Sequence, residues 1–313
     1  MAAAILSCSR ALASPIEIEV TPSNPILDGS VGFDESYQGG PSALDTSEKT
    51  ILPEIMRWSE DQFANDTSAV ATPFEPPESA AKKLLRRFIF GAGDDRKYWN
   101  IGVYPYHSVG RLQWENNIFC SGALVGPRHV LTARHCIPGD PVGGNFAPGY
   151  DDGARFGRGR VVAALTSEGQ EKGSPCNTKA DWAVLILDKK LGDELGYFGV
   201  KTPDPSKFDK PLFYHMGYPG DLENGGRPYR MMDITVLSER SLGCDPTGPF
   251  STDTDTAGGQ SGGPHWEYDK DGNRWIWGAL SIGVSWGESL GYAGFASGAQ
   301  MVDAINKLRK EYP

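Results

Sequence analysis

Long hydrophobic runs are missing from this 313-residue chain, and no apolar stretch could cross a bilayer as a helix. No membrane partner is therefore expected. Positive charge is short: 30 Lys and Arg stand against 40 Asp and Glu, a net charge of −10. No basic stripe is available to follow a phosphate backbone, so nucleic acid is not an expected partner. A zinc-ligand pattern is missing too. Cys120, His129, His135 and Cys136 match no common spacing, and adjacent ligands are awkward geometrically, so no metal or cofactor is expected. Internal repeats are absent. Cysteine is sparse, five in all, and Cys8 lies in the extreme N-terminal segment. Cys120, Cys136, Cys176 and Cys244 remain, an even number that suits two bridges in a secreted protein. With 39% hydrophobic and 22% charged residues, the composition is that of a globular protein with one large or two modest cores.

The first quarter lacks apolar periodicity. Residues 1–13 read as a short signal peptide. Ala2 to Leu6 is apolar, Arg10 interrupts the pattern, and Ala11-Leu12-Ala13 offers small residues for cleavage. The other reading is a cytosolic start or a wrongly chosen initiator. Residues 14–87 are rich in Pro, Ser, Asp and Glu, carry the sequon Asn65-Asp66-Thr67, and close on Lys82-Lys83-Leu84-Leu85-Arg86-Arg87. This segment is either an acidic linker with a solvated basic end or a propeptide cut after Arg87.

From Phe88 onward short apolar runs alternate with Gly, Pro and Asp clusters. Strands are expected at 119–125, 161–165, 182–187, 212–216, 232–237 and 275–282, a pattern of barrels or sandwiches. Pro138 to Gly159 reads as a long surface loop. Met301, Val302, Ile305 and Leu308 recur at helical spacing, and Ser297 could cap that helix.

One stretch organises the rest: Thr256-Ala257-Gly258-Gly259-Gln260-Ser261-Gly262-Gly263-Pro264. A glycine run brings bare backbone N–H groups close to a single hydroxyl, which is the setting a serine nucleophile needs for its oxyanion. Upstream lie Val130-Leu131-Thr132-Ala133-Arg134-His135-Cys136 and Asp181-Trp182-Ala183-Val184-Leu185-Ile186-Leu187. His, Asp, Ser is one of the chain orders of a catalytic triad. The nucleophile elbow G-x-S-x-G fits locally, but it needs a helix after the serine and an acid, then a histidine, downstream. Here Gly263-Pro264 follows, and the one later histidine is His265, so the elbow is rejected.

These blocks, with Phe119-Cys120-Ser121-Gly122-Ala123-Leu124-Val125-Gly126, resemble the trypsin/chymotrypsin clan of serine endopeptidases. Gly91-Ala92-Gly93-Asp94-Asp95-Arg96, Tyr104-Pro105-Tyr106, Gly196-Tyr197-Phe198-Gly199 and Gly217-Tyr218-Pro219-Gly220-Asp221 are similar to the glutamyl endopeptidase branch. The resemblance runs from about residue 88 to the C-terminus, which favours the propeptide reading of 14–87 and a peptidase domain over 88–313. It implies an all-β fold of two six-stranded antiparallel barrels followed by a helix, with the active site between them. It implies Ser261 as nucleophile, His135 as base, Asp181 as its orienting carboxylate, and the N–H groups of Gly259 and Ser261 as oxyanion hole. It also implies a Cys120–Cys136 bridge; Cys176–Cys244 follows from arithmetic alone. Many animal members place Asp before the serine to bind a newly cut N-terminus. Gln260 stands there instead, so that switch is absent.

The specificity pocket is expected from Asp255, Thr256, Ser285, Trp286 and Gly287. Glu-specific relatives read the substrate carboxylate with a histidine. Val284 or Ser285 stands at that place here, so strict Glu preference is expected to be lost. The implied activity is that of a secreted serine endopeptidase made as a zymogen, monomeric, with polypeptide as substrate. The alternative is a non-catalytic homologue that binds protein through the same cleft.

Overall fold

Short apolar runs between turn residues become the strands of two curled sheets. The computed structural model describes residues 50–58, 70–74, 93–167, 175–238, 247–286 and 290–313. In chain order, the N-terminal strands are β1 (Glu54–Trp58), β2 (Val70–Ala71) and β3 (Lys97–Tyr98). There follow β4 (Val109–Trp114), β5 (Phe119–Leu124), β6 (His129–Ala133), β7 (Gly144–Pro148), β8 (Gly159–Ser167) and β9 (Trp182–Leu187). After the short helix α1 (Leu191–Leu195) come β10 (Gly199–Lys201), β11 (Pro211–Gly217), β12 (Tyr229–Thr235) and β13 (Phe250–Thr252). The chain ends with β14 (Pro264–Tyr268), β15 (Arg274–Trp286), β16 (Leu290–Ala296) and α2 (Ala299–Glu311).

The first sheet runs β1-β8-β7-β4-β5-β6-β9, and β8 also pairs with β9, so β4 to β9 close into a barrel. Alternation along β9 shows how its strands are used. Leu185 and Leu187 join Leu112, Trp114, Leu124, Val130 and Phe146 inside the barrel. Val184 and Ile186 point the other way, into the apolar layer shared with α2. The second sheet runs β13-β16-β15-β14-β11-β12-β3, and a bridge between Val236 and Thr252 joins the ends of β12 and β13 into a second ring. Phe213, Phe250, Trp277, Leu280 and Phe295 fill it.

The expected strands are present, with altered bounds. The run expected at 232–237 starts earlier, at Tyr229, and β15 continues past Ile282 to Trp286. The stretch read as one long surface loop, 138–159, holds β7. Its glycine is there for packing: a Cβ on Gly144 would come 2.4 Å from the ring of Trp114, the residue it pairs with on β4. Phe146 fills the barrel from the same strand. Helix α2 buries Met301, Val302, Ile305 and Leu308 as the periodicity predicts. Ser297 does not cap it. Gly298 is the N-cap residue, with no side-chain cap bond, and the Ser297 hydroxyl donates to the Trp277 carbonyl.

Two pieces of the segment read as propeptide belong to this fold. β1 lies parallel to β8, from Glu54↔Ala163 to Trp58↔Ser167, and β2 pairs with β10. Trp58 and Ala71 are buried. Asn306 and Arg309 of α2 donate to the carbonyls of Val70 and Thr72. The Cys120–Cys136 bridge is present, with Cα atoms 6.2 Å apart. The signal peptide (1–13), the sequon, the Arg86-Arg87 site, Phe88 and the Cys176–Cys244 pairing lie outside the described residues.

Candidate active site

The histidine turn is built by strand pairing. β6 runs antiparallel to β9, with Ala133 opposite Trp182. The chain then leaves β6 in a single 3-10 turn, Arg134–Cys136, beside the residue that precedes β9. Arg134 N–H donates to the Asp181 carbonyl at 3.2 Å. His135 and Asp181, 46 residues apart, are thereby neighbours. One Asp181 oxygen accepts the His135 backbone N–H at 2.9 Å. The other lies 2.7 Å from His135 Nδ1 and also accepts the Ser281 hydroxyl at 2.6 Å. An ionised carboxylate can only accept, so Nδ1 carries the proton and Nε2 presents its lone pair on the far side of the ring. Burial pulls the imidazole pKa down, but the charge and hydrogen bond of Asp181 outweigh it and hold it above the usual histidine value. The disulfide through Cys136 ties the turn to β5.

The serine loop presses against the same place. Ser121 N–H of β5 donates to the Ser261 carbonyl at 2.8 Å, and Gly262 N–H donates to Leu280 O at 2.8 Å. Gly262 has φ +78, and a Cβ there would stand 2.1 Å from Thr132 Oγ1 and 2.8 Å from the Ala133 nitrogen. The loop thus touches the end of β6 just before the histidine turn, and only glycine fits. Gly259 has φ +91, and a Cβ would meet Phe119 at 2.4 Å and the Tyr218 carbonyl at 2.5 Å.

The backbone donors of this loop divide into two sets. The N–H groups of Gln260, Gly262 and Gly263 are bonded to Ala257 O, Leu280 O and Gln260 O. Among the described residues those of Gly258, Gly259 and Ser261, and of Thr256 before them, donate to no protein acceptor. The Ser261 hydroxyl, in a residue only 1% exposed, likewise has no hydrogen-bond partner among the described residues. An unpartnered serine hydroxyl and several unspent backbone donors, those of Gly259 and Ser261 among them, therefore occupy one loop.

The residues expected to form the specificity pocket are placed unevenly. Thr256 is beside Gly283, whose Cβ would stand 2.8 Å from Thr256 Oγ1. Asp255 is spent on the chain itself: its carboxylate accepts Asp95 N–H at 2.9 Å. Burial and the nearby Asp94 and Asp95 raise its pKa. Ser285 and Trp286 lie further along β15, paired with Gly291 and Leu290 of β16; Gly287 lies outside the described residues. Sequence reasoning missed Ser281 as the partner of Asp181. Ser281 lies where the pairing of β15 with β16 shifts register, between Leu280 and Ile282, and no local pattern in the sequence marks that place. It also missed Arg96, whose guanidinium reaches Gln260 Oε1 at 3.1 Å.

Comparison with known proteins bears on the family and the fold. The chain is 29% identical over 267 residues to a glutamyl endopeptidase of Bacillus licheniformis, covering 81% of this chain and 76% of that one. It is 30% identical over 135 residues to glucanase inhibitor protein 1 of Phytophthora infestans, covering 42% of this chain and 47% of that one. A solved structure of a Glu endopeptidase in complex with MPD superposes with a TM-score of 0.55 at 21% identity, over 70% of this chain and 98% of that one. The two barrels and C-terminal helix are those of a chymotrypsin-like fold. The sequence profile described as Trypsin matches residues 101–307, two-thirds of the chain, and on that match the protein belongs to the trypsin family.

Proposed function

We propose that the chain is a secreted serine endopeptidase acting through Ser261, His135 and Asp181. The observation that supports this most directly is the two-point hold of Asp181 on His135, which leaves Nε2 as the base. In the reaction, Ser261 Oγ attacks the scissile carbonyl carbon and its proton passes to His135 Nε2. The developing oxyanion takes the N–H groups of Gly259 and Ser261. The intermediate collapses, and the leaving amine takes the proton from Nε2. Water then repeats the sequence on the acyl-enzyme. Fluorophosphonate labelling of the purified protein tests the reading. Wild type should be labelled at Ser261 and cleave casein, and Ser261→Ala should do neither. An unlabelled, correctly folded wild type would favour the second reading, a protein-binding homologue without activity. That reading draws its support from the relative named a glucanase inhibitor.

Processing belongs to the same proposal: a signal peptide over 1–13, a propeptide over 14–87, and a mature N-terminus at Phe88 of the 88–313 peptidase domain. The bonds of β1 and β2 to β8, β10 and α2 would keep residues 50–58 and 70–74 docked after such a cut. N-terminal sequencing of the secreted protein, with denaturing and native gels side by side, tests both points.

Strict preference for Glu before the scissile bond is proposed to be lost. Val284 or Ser285 stands where the Glu-specific relatives are expected to place a histidine, and neither can carry charge to a substrate carboxylate. Asp255 is committed to Asp95 N–H, so it does not make the pocket a reader of Arg or Lys either. Matched peptides with Glu, Arg, Lys, Leu or Phe should differ by less than about 100-fold in kcat/KM, roughly 2.7 kcal/mol of differential transition-state binding.

A further inference from the structure

The nucleophile loop has a mechanical problem. The unspent donors of Gly259 and Ser261 sit in Gly258-Gly259-Gln260-Ser261, and a Gly-Gly peptide can rotate more freely than any other. Unless something holds it, the Gly259 N–H has no reason to face the same point as that of Ser261. Gln260 carries no charge, so an ion pair with a chain terminus cannot supply the hold.

The hold is visible in a short strap, Asp94-Asp95-Arg96. Arg96 has 8% of its side chain exposed, and its whole fork is spent. Nε and Nη2 donate to the two oxygens of Asp94 at 3.0 and 2.8 Å. Nη1 and Nη2 donate to the two oxygens of Asp221 at 2.9 and 2.7 Å. Nη1 also donates to Gln260 Oε1 at 3.1 Å. The same Oε1 accepts Ala257 N–H at 2.9 Å, while Gln260 N–H donates to Ala257 O at 3.1 Å. Two donors meet at one amide atom, so that atom is the oxygen. Ala257 and Gln260 are therefore bonded twice, and Gly258 and Gly259 are enclosed between them. Asp221 fastens a second side: its neighbour Gly220 donates its N–H to Gly258 O at 2.6 Å. At the start of the loop, Asp95 N–H holds the carboxylate of Asp255.

We propose that Asp94-Asp95-Arg96 is the positioning device of the nucleophile loop, gripping it at Asp255 and Gln260 so that the N–H groups of Gly259 and Ser261 converge without a newly cut chain terminus. Arg96 is a positioning residue, since it acts through Gln260 and touches no substrate. The role rests on the endopeptidase reading above; the contacts themselves do not. A consequence follows for latency. The loop is ordered with residues 50–58 and 70–74 in place, so any restraint by a propeptide acts on access to the cleft and not on loop order.

The test uses the processed protein, cut after Arg87, and three variants: Arg96→Ala, Arg96→Lys and Gln260→Met, the last keeping the shape of the side chain without its acceptor. In Arg96→Ala and Gln260→Met, kcat should fall about 30- to 100-fold while KM stays within about threefold, the range expected when a donor is misplaced but substrate still binds. Affinity for a peptide boronate, which forms the tetrahedral adduct, should fall in parallel. Affinity for an unreactive peptide product should not. The double variant should be no slower than either single one, because both break one relay. Arg96→Lys keeps the charge but not the fork and should recover part of the loss. Amide exchange at residues 257–262 should rise at least about tenfold in both neutral variants, whether or not the protein cleaves peptides. Unchanged exchange, or losses that multiply in the double variant, would overturn the strap. A wild type that fails to react with a fluorophosphonate would instead overturn the endopeptidase reading and leave the exchange result to judge the strap. If Arg96→Ala does not fold, Gln260→Met and Arg96→Lys carry the same comparisons.

Discussion

The two barrels contribute to the site by different means. The first has an aliphatic core, with Leu112, Leu124, Val130, Leu185 and Leu187 around Trp114 and Phe146. It delivers His135 and Asp181 from the ends of two adjacent paired strands, and a disulfide at Cys136 fastens the histidine turn on the side away from β6. The second packs rings: Phe213, Phe250, Trp277 and Phe295, with His265 stacked 4.7 Å from Phe213. It delivers Ser261 from a glycine loop outside any strand. A side chain on a paired strand end inherits the rigidity of the sheet. One on a glycine loop must be held from elsewhere, here by Arg96, Asp221 and the β5 and β6 edge of the first barrel. The proposed base is placed by topology, the proposed nucleophile by tethering.

The largest effect should come from breaking the chemistry that joins the barrels. Ser261→Ala or His135→Ala should lower kcat by about four to six orders of magnitude with near-native circular dichroism. Asp181→Asn should cost about 10⁴-fold, because an amide at the bonded position favours the wrong imidazole tautomer. The same geometry predicts the pH profile. The His135 pKa is raised, and the base must be neutral, so kcat/KM should climb with pH through a pKa above 6.5. An acid limb centred well below 6.5 would contradict the Asp181 hold.

The next test strikes the loop side of the comparison. Gly259→Ala places a Cβ within 2.5 Å of the Tyr218 carbonyl at φ +91, so loop distortion is unavoidable. Loss of activity beyond about 100-fold and a stability loss of about 2–4 kcal/mol in urea denaturation are expected. If Gly259→Ala is silent, the loop is not held as described. On the strand side, Cys120→Ala with Cys136→Ala should lower stability by about 3 kcal/mol in the chain-entropy estimate. Its effect on kcat should be smaller than that of Arg96→Ala, since β6 pairing still places the histidine.

The smallest effect separates the two cores. Burial holds His265 well below the usual histidine value and His215 at about 4. In β6, burial and then the charge of Arg309 hold His129 at about 4. These folded-state values lie below the unfolded one near 6.5, so the neutral rings contribute stability fully above pH 6.5. That contribution is lost as pH falls from about 6.5 toward 4. The second barrel has two such rings packed with the phenylalanines, so it should loosen first in acid. His265→Phe should shift the acid unfolding midpoint downward by a few tenths of a pH unit and leave neutral stability within about 1 kcal/mol, measured by tryptophan fluorescence. No shift would mean that His265 is not a buried neutral ring.

Much of this was readable in the chain. The apolar run Trp182–Leu187, the spacing of Met301, Val302, Ile305 and Leu308, and the glycines around Ser261 are local patterns whose physics acts over a few residues. They indicate strand, helix and a loop needing positive φ, and the order of His135, Asp181 and Ser261 suggests one chemistry. β7 was hidden because Gly144 and Pro148 are turn residues in isolation; only the ring of Trp114 explains why glycine stands there.

What only the folded chain decided are relations between distant residues. Ser281 meets Asp181 where the pairing of β15 with β16 shifts register, between Leu280 and Ile282. Arg96 meets Gln260 across 164 residues. Glu54–Trp58, in a segment with the composition of a linker, finds the free edge of β8. The last depends on which backbone groups are left unpaired when the first barrel closes, the other two on which side chains the closed sheets bring together. That is a property of the assembled sheets and not of any window of sequence, whereas the nucleophile, its base and the glycines that expose them are consequences of side-chain chemistry and backbone freedom written residue by residue.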